Sequence, residues 1–339
     1  MGICHSSEPP PVRKQPSTPS FEDASAPSST RSRADSFKFD TSGRRLHADF
    51  TPLDEEQVAS GRLYILPNDD EEMERLHIQH YMLRLLFKSN FSAPVQKMLS
   101  TPGAKVLDLG CGSGIWAFEI ATDYPQCQVT GLDMSPVQPG TVKPKNVEYM
   151  QADLTNLPLP FEDASFDFIH MRLLIAGLRA EFWPVLIAEI VRLVKPGGYI
   201  ELTEPTNPAM NLPTKFPNLM QMLTLGLVVR GCDLDISHRL KSYCEQQPEL
   251  ADIRTAIKDL HARANESDPD SKKISKMFGD DLTGVLMGVK APLVQRGVCA
   301  EEEYDDLLRN HVAETLASDH VVTWTRCYGR RRGGILRAE

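Results

Sequence analysis

From residue 105 onward, short apolar runs alternate with stretches whose apolar residues recur every three or four positions. The runs 105–109, 128–133, 147–151, 166–170 and 198–204 are rich in Val, Ile, Leu and aromatic residues and read as buried strands. Between them, 115–122, a short piece near 135–140, and 172–178 with 182–194 read as helical crossovers. Such alternation predicts an α/β fold, a doubly wound, mostly parallel sheet with helices on both faces. Upstream, Asn68 or Asp69 stands where it can cap a helix. That helix holds Asp69, Asp70, Glu71 and Glu72 in its first turn, where the helix dipole favours acids. Met73, Leu76, Tyr81, Leu83 and Leu86 continue its apolar face to about residue 91. Helical patterns at 216–229 and 235–247 break the alternation and predict a helical cap insertion, about 207–298. A helix over 301–316 leads into a β-prone run, 321–328, expected as the last strand and suited to antiparallel pairing. The folded domain is expected over 51–339.

The first fifty residues differ from the rest. They are crowded with Pro and Ser and nearly lack aliphatic side chains up to about Arg45. Such a segment cannot bury enough apolar surface to offset its ordering entropy, so 1–50 is expected to be a disordered tail. The chain has 339 residues, 41% hydrophobic and 24% charged, as a soluble globular protein does. Its net charge of -9 argues against a nucleic-acid-binding surface. No apolar stretch nears the roughly 20 residues of a spanning helix. The seven cysteines are odd in number and form no C-x-x-C pair, which fits a reducing compartment with neither a disulfide framework nor a zinc site. His77 and His80 lie three apart on the first helix without further ligands nearby, and read as packing or cofactor-covering residues rather than metal ligands.

The chemistry is concentrated in Val106-Leu-Asp-Leu-Gly-Cys-Gly-Ser-Gly-Ile115. A strand runs directly into Gly110, Gly112 and Gly114, which open a helix; glycines there permit a tight turn and close backbone approach to a ligand. Two details separate this loop from a dinucleotide site. Its spacing is G-x-G-x-G, not G-x-G-x-x-G. Asp108, two residues before the first glycine, would repel a pyrophosphate. It would attract the ammonium of a methionine moiety, by about 4 kcal/mol at 4 Å in an effective dielectric of 20, before desolvation. A zwitterionic sulfonium suits the loop, with Cys111 inside it. The second strand ends in Asp133, followed by Met134. A carboxylate there accepts from ribose hydroxyls, or caps the next turn. After the third strand, Asp153 and Leu154 fall near an adenine amino group.

These segments, with Phe166–His170, the lead-in Leu159-Pro-Phe-Glu-Asp-Ala-Ser-Phe-Asp167 and Leu193-Val-Lys-Pro-Gly-Gly-Tyr-Ile-Glu201, resemble the ordered motif series of class I S-adenosylmethionine-dependent methyltransferases. The match covers roughly residues 105–204 and implies a Rossmann-like fold and S-adenosylmethionine as cofactor. A wider similarity runs from Tyr64-Ile-Leu-Pro-Asn-Asp69 through Arg75-Leu and Gln79-His80 to Tyr328-Gly-Arg330. It resembles a group of fungal methyltransferases that includes regulators of secondary metabolism associated with velvet proteins. That resemblance implies that the helix starting near Asn68 folds over the cofactor, and it brings in regulatory protein partners. It supplies no substrate.

Sites in such sheets lie outside the carboxyl ends of the strands. His170 is thus a candidate base or acceptor-side hydrogen bonder, or an orienting residue. Glu204 is a candidate for holding or deprotonating substrate, or a turn-binding carboxylate. Tyr64, Asp69 and Arg172 are placed at the same mouth. The run after the fourth strand, His170-Met-Arg-Leu, lacks the Asn/Asp-Pro-Pro-aromatic pattern of base and glutamine amino methylation and the paired glutamates of arginine methylation. Small-molecule, lipid-like or atypical protein acceptors remain. The start, Met1-Gly-Ile-Cys-His-Ser-Ser7, fits N-myristoylation at Gly2, with Cys4 placed for a second, palmitoyl anchor. The expected location is cytoplasmic, tethered peripherally to a membrane where the tail is acylated, with the nucleus left open. Three functions stand at this point: an active methyltransferase on a small acceptor, a cofactor-binding regulatory subunit working through protein partners, and, disfavoured by Asp108, a dinucleotide oxidoreductase.

Overall fold

A computed structural model describes residues 37–39, 43–47, 66–207, 217–295, 297 and 299–333, all within one unit spanning Phe37–Glu339. The acylation signal at Gly2 and Cys4, most of the tail expected over 1–50, and Tyr64 lie outside the described residues.

The end of the expected tail carries a small antiparallel pair, β1 (Phe37–Phe39) with β2 (Arg45–His47). It docks on the next segment through the Asn68 N–H, which donates to the Arg45 carbonyl at 2.8 Å. Helix α1 (Asp70–Phe87) then starts as its polar pattern requires. Asp69 caps it, accepting from the Glu72 N–H at 3.0 Å, with Asp70, Glu71 and Glu72 in the first turn. A short turn, α2 (Gln96–Leu99), leads into the sheet.

Seven strands form that sheet. β3 (Lys105–Leu109), β4 (Gln128–Asp133), β5 (Val147–Gln151), β6 (Phe166–Arg172) and β7 (Val194–Pro205) are mutually parallel. β8 (Leu250–His261) and β9 (Val321–Arg331) complete the order β5-β4-β3-β6-β7-β9-β8, with β9 antiparallel to both its neighbours. The strand order reverses at β3 and β6, and a crevice opens outside their carboxyl ends. Strand period two sorts the core into two layers. Val106, Val129 and Phe168 pack on α3 (Ile115–Asp123) through Trp116 and Ile120. Leu107, Leu109, Ile169 and Met171 face α4 (Phe182–Leu193) through Trp183, Leu186 and Ile190. Asp108 and His170 share the parity of Val106 and Phe168, so both point to the α3 layer.

The expected strands and helices form within a few residues of the predicted bounds, with three differences. The piece near 135–140 is not a helix: Pro136 and Pro139 interrupt it, and Gln138 bonds the Gly112 and Ser135 carbonyls. The stretch 172–178 is not a helix either, because β6 runs on to Arg172 and Leu173 turns with φ +60°. The region read as a cap, 207–298, holds α5 (Pro217–Val229), α6 (Ile236–Glu245), α7 (Pro269–Gly288) and α8 (Lys290–Gln295), but it also supplies β8 to the main sheet. It is therefore part sheet edge rather than purely a helical insertion. Helix α9 (Glu301–Ala317) precedes β9. Helix α7 packs along α1, where Arg75 of α1 reaches Asp281 of α7 at 2.6 Å. No helix among the described residues is long and apolar enough to cross a membrane.

Candidate functional site

The crevice at the reversal point is a concave cleft, partly open to solvent, of the kind that small-molecule sites occupy. Its floor is the glycine loop, Gly110 to Ser113; Asp133, Met134 and Ser135 form one side, and Asp153, Leu154 and Thr155 continue it. Arg172, Leu173, Leu174 and Leu178 form the opposite wall. Asn68 and the α1 residues Met73, Leu76 and Gln79 close over the top.

The loop folds this way because glycine supplies conformations other residues resist. Gly114 ends the loop at φ +78° and N-caps α3, and a β-carbon there would stand 2.6 Å from the Tyr149 ring. At Gly110, φ +65°, a β-carbon would come within 2.8 Å of Leu174. The Asp133 carboxylate pins the loop, accepting from the Gly112 N–H and the Ser135 N–H, each at 2.8 Å. One bond per oxygen leaves each with acceptor capacity beside the cavity. Burial raises its pKa, opposed by those N–H donors. Asp153 turns its Oδ1 to the Thr155 N–H and hydroxyl at 2.8 and 2.7 Å. Cys111 lines the floor; burial pushes its thiol pKa up, so it is no ready nucleophile.

Beneath the loop, Asp108 is buried and bonded to His170 Nδ1 at 2.8 Å, while its Oδ2 has no partner. Burial lifts Asp108 to about 7, against the pull of Arg172 and His80. The His170 ring stacks on Trp116 with centroids 3.8 Å apart and planes within 6°. Burial, reinforced by Arg172 and Arg326, drives its pKa well below the ordinary histidine value. His170 is not among the cavity's lining residues. Strand parity holds His170 in the α3 layer, apart from the lining, a position that fits the orienting role weighed for it better than that of a base. Glu204 is set apart in the same way, in keeping with the turn-binding alternative weighed for it. It is fully buried behind the wall and accepts from the Leu174 and Ile175 N–H groups at 2.7 and 3.2 Å. Burial raises it to about 8 despite those donors. Its work is to hold the loop that lines the cavity.

Of the other sequence candidates, Arg172 lines the cavity and Asp69 does not, being taken by its cap and by Arg44. His80 is buried against Glu119 at 2.9 Å, and burial lowers it to about 4. Sequence reasoning missed Ser113, Ser135, Leu174 and Leu178. Ser113 sat in the quoted loop, and its buried hydroxyl has no partner. Asn68, weighed only as a cap, presents a buried side-chain NH2 without a partner. The wall at Leu174 and Leu178 was hidden by the helical reading of 172–178.

A family model described as a methyltransferase domain matches residues 106–198. Methyltransferase str2 of Strobilurus tenacellus is 31% identical over 242 residues, covering 70% of this chain and 85% of that protein. The chain belongs to the class I S-adenosylmethionine-dependent methyltransferases. Its relatives reach into the fungal laeA group. The secondary metabolism regulator laeA of Coprinopsis cinerea is 26% identical over 293 residues, 81% of this chain and 71% of that one. The protein-methionine methyltransferase laeA of Emericella nidulans is 34% identical over 142 residues, 42% of this chain and 36% of that one. The methyltransferase takes S-adenosylmethionine as its cofactor. Its cavity fits that group: the Ser113 hydroxyl and Asn68 NH2, lining residues whose buried polar atoms have no partner among the described residues, are groups that a zwitterionic nucleoside ligand would satisfy.

Proposed function

We propose that the methyltransferase moves a methyl group to a small-molecule acceptor whose nucleophilic atom arrives with its lone pair free. The observation that carries this is the cavity wall: among the described lining residues there is no His, Lys, Glu or Tyr to take a proton. Asp133 and Asp153 are engaged with backbone and Thr155, and Cys111 is held neutral. A general base is needed only for an acceptor that must lose a proton in the transition state. The bound cofactor supplies an activated methyl on a sulfonium. The chain's own work is binding, orientation and exclusion of water.

In this reading Gly110, Cys111, Gly112 and Gly114 bring backbone to the cofactor's amino-acid arm, with Asp108 receiving its ammonium. Asp133 accepts from the ribose hydroxyls beside Met134, and Asp153 with Leu154 faces the adenine. Met73, Leu76, Leu173, Leu174 and Leu178 line the rest with apolar surface, which favours a largely apolar acceptor and keeps water from the displacement.

A second reading takes the acceptor as a methionine side chain of a partner protein. A thioether has no proton to lose, and the Emericella nidulans relative carries the name protein-methionine methyltransferase. Incubating the chain with methyl-labelled cofactor and fungal extract separates the two. Label in the low-mass fraction supports the small acceptor; label in protein hydrolysed to labelled S-methylmethionine supports the second reading. The membrane tether joins the proposal through Gly2 and Cys4, and an added myristoyl mass on the N-terminal peptide of protein from a eukaryotic host is its test.

A further inference from the structure

We propose that Arg172 is a carboxylate receptor built into this cavity, an assignment that rests on the S-adenosylmethionine reading of the same cleft. Arg172 ends β6 and lines the cavity beside Leu173 and Gln79. Its guanidinium has no hydrogen bond or ion pair among the described residues. The two carboxylates that act on it through space are committed elsewhere. Asp108 is bonded to His170, and Glu119 is shared by His80, Arg84 and Asn90.

Two more deeply buried arginines differ. Arg75 is held by Glu72 and Asp281, both at 2.6 Å, and Arg326 lies over the Phe87 ring at 3.9 Å with Glu201 at 3.7 Å. A poorly solvated cation whose nearby carboxylates are bonded elsewhere is costly, and desolvation lowers the Arg172 pKa against the pull of Asp108 and Glu119. An anion supplied by the ligand removes that cost.

The planar fork of a guanidinium matches carboxylate or phosphate. Asp133 and Asp153 around the same space, with Asp108 beneath its floor, disfavour a phosphate dianion and tolerate a carboxylate whose own molecule carries an ammonium. The strand register sharpens this. Asp108 pairs with His170 and Leu109 with Met171, so Arg172 stands beside Gly110, at the end of the cleft remote from Asp153. There Arg172 offers a donor fork, with the Asp108 carboxylate buried beneath the adjoining loop, a distribution of charge suited to an α-amino-acid head. The carboxylate comes from the amino-acid arm of the cofactor or from an acceptor that carries its own.

Calorimetry on the full chain distinguishes the sources. S-adenosylhomocysteine and 5′-methylthioadenosine, which lacks the amino-acid arm, are titrated into wild type, Arg172→Met and Arg172→Lys. If the arm is the occupant, Arg172→Met loses roughly ten- to hundredfold in S-adenosylhomocysteine affinity, as for a charge-assisted bond, keeps its 5′-methylthioadenosine affinity, and Arg172→Lys recovers part. If the acceptor is the source, both nucleosides bind Arg172→Met as they bind wild type. In that case acetate or free methionine binds the wild-type S-adenosylhomocysteine complex and not the variant's. Equal losses for both nucleosides, or no difference with any of these probes, overturn the assignment. A wild type that binds neither nucleoside overturns the cofactor reading, and this assignment with it. Thermal melting provides a second readout: without ligand, Arg172→Met melts at or above wild type, because a poorly solvated charge is gone, whereas a structural role for Arg172 lowers the melting point.

Discussion

Replacing Arg75 by Met tests how the roof of the cavity is held. Arg75 is 5% exposed and sits between two carboxylates. It donates to Glu72 at 2.6 and 2.8 Å along its own helix and to Asp281 at 2.6 Å across to α7. Gln79, one turn further on, also reaches Asp281, at 3.2 Å. Methionine fills similar space but leaves Glu72 and Asp281 buried without their cation, and removing one member of a buried pair costs about 3–5 kcal/mol. At roughly 2 °C per kcal/mol for a chain of this size, the melting temperature falls by roughly 6–10 °C at pH 7. Burial already raises both acids, partly countered by Arg75. Without the arginine they hold protons more tightly still, so the loss shrinks as pH falls and they neutralise. Asp281→Asn leaves Arg75 with Glu72 and costs less. Circular-dichroism melts at pH 7 and pH 5 read all three proteins. An Arg75→Met protein melting within about 2 °C of wild type at pH 7, or losing more at pH 5 than at pH 7, refutes the reasoning.

Gly114→Ala forces a positive φ on alanine, about 1–2 kcal/mol, and drives its β-carbon into the Tyr149 ring. The expected outcome is loss of S-adenosylhomocysteine binding by calorimetry with the far-ultraviolet spectrum retained. His170→Asn keeps a polar partner for Asp108 in this reading, so kcat/KM stays within about tenfold of wild type; a loss of about a hundredfold or more, the scale of a general base, would restore His170 as a base. Glu204 and Asp108 are raised to about 8 and about 7, so the folded state holds protons that the unfolded chain releases. Their contribution to stability is full below the ordinary carboxylate range and is lost as pH rises through 7 to 8. Glu204→Gln flattens the fall in urea stability between pH 5 and 8, and an unchanged slope contradicts the buried-proton reading.

The central parallel strands were readable because they bury both faces and so show as short, mostly aliphatic runs, Val106 to Leu109 with its one Asp being the plainest. The first helix was readable through Asp69 and the acids after it. β8 was not: Leu250-Ala-Asp-Ile-Arg-Thr-Ala-Ile-Lys-Asp-Leu-His261 is a sheet-edge strand, polar along most of its length, with a bulge after Ala251. α7 did carry a signal, since Asp268 caps it and Pro269 stands in its first turn. In the site, Asp133, Asp153 and the glycines were legible because motif spacing and strand ends fix where they meet. The ranks of His170 and Glu204 were not legible. Both stand near strand ends at the right edge of the sheet; strand parity and the stacking on Trp116 turn one from the cavity, and bonding to the 173–175 turn holds the other behind its wall. The Arg75–Asp281 contact joins residues 206 apart in sequence, beyond any local pattern.

The most direct test of the central claim is calorimetric titration of S-adenosylhomocysteine into wild type and Asp133→Ala. The account predicts clear binding by wild type and at least about tenfold weaker binding by the variant, the loss of one or two charge-assisted hydrogen bonds from ribose. A wild type that does not bind, or a variant that binds as tightly, would contradict it.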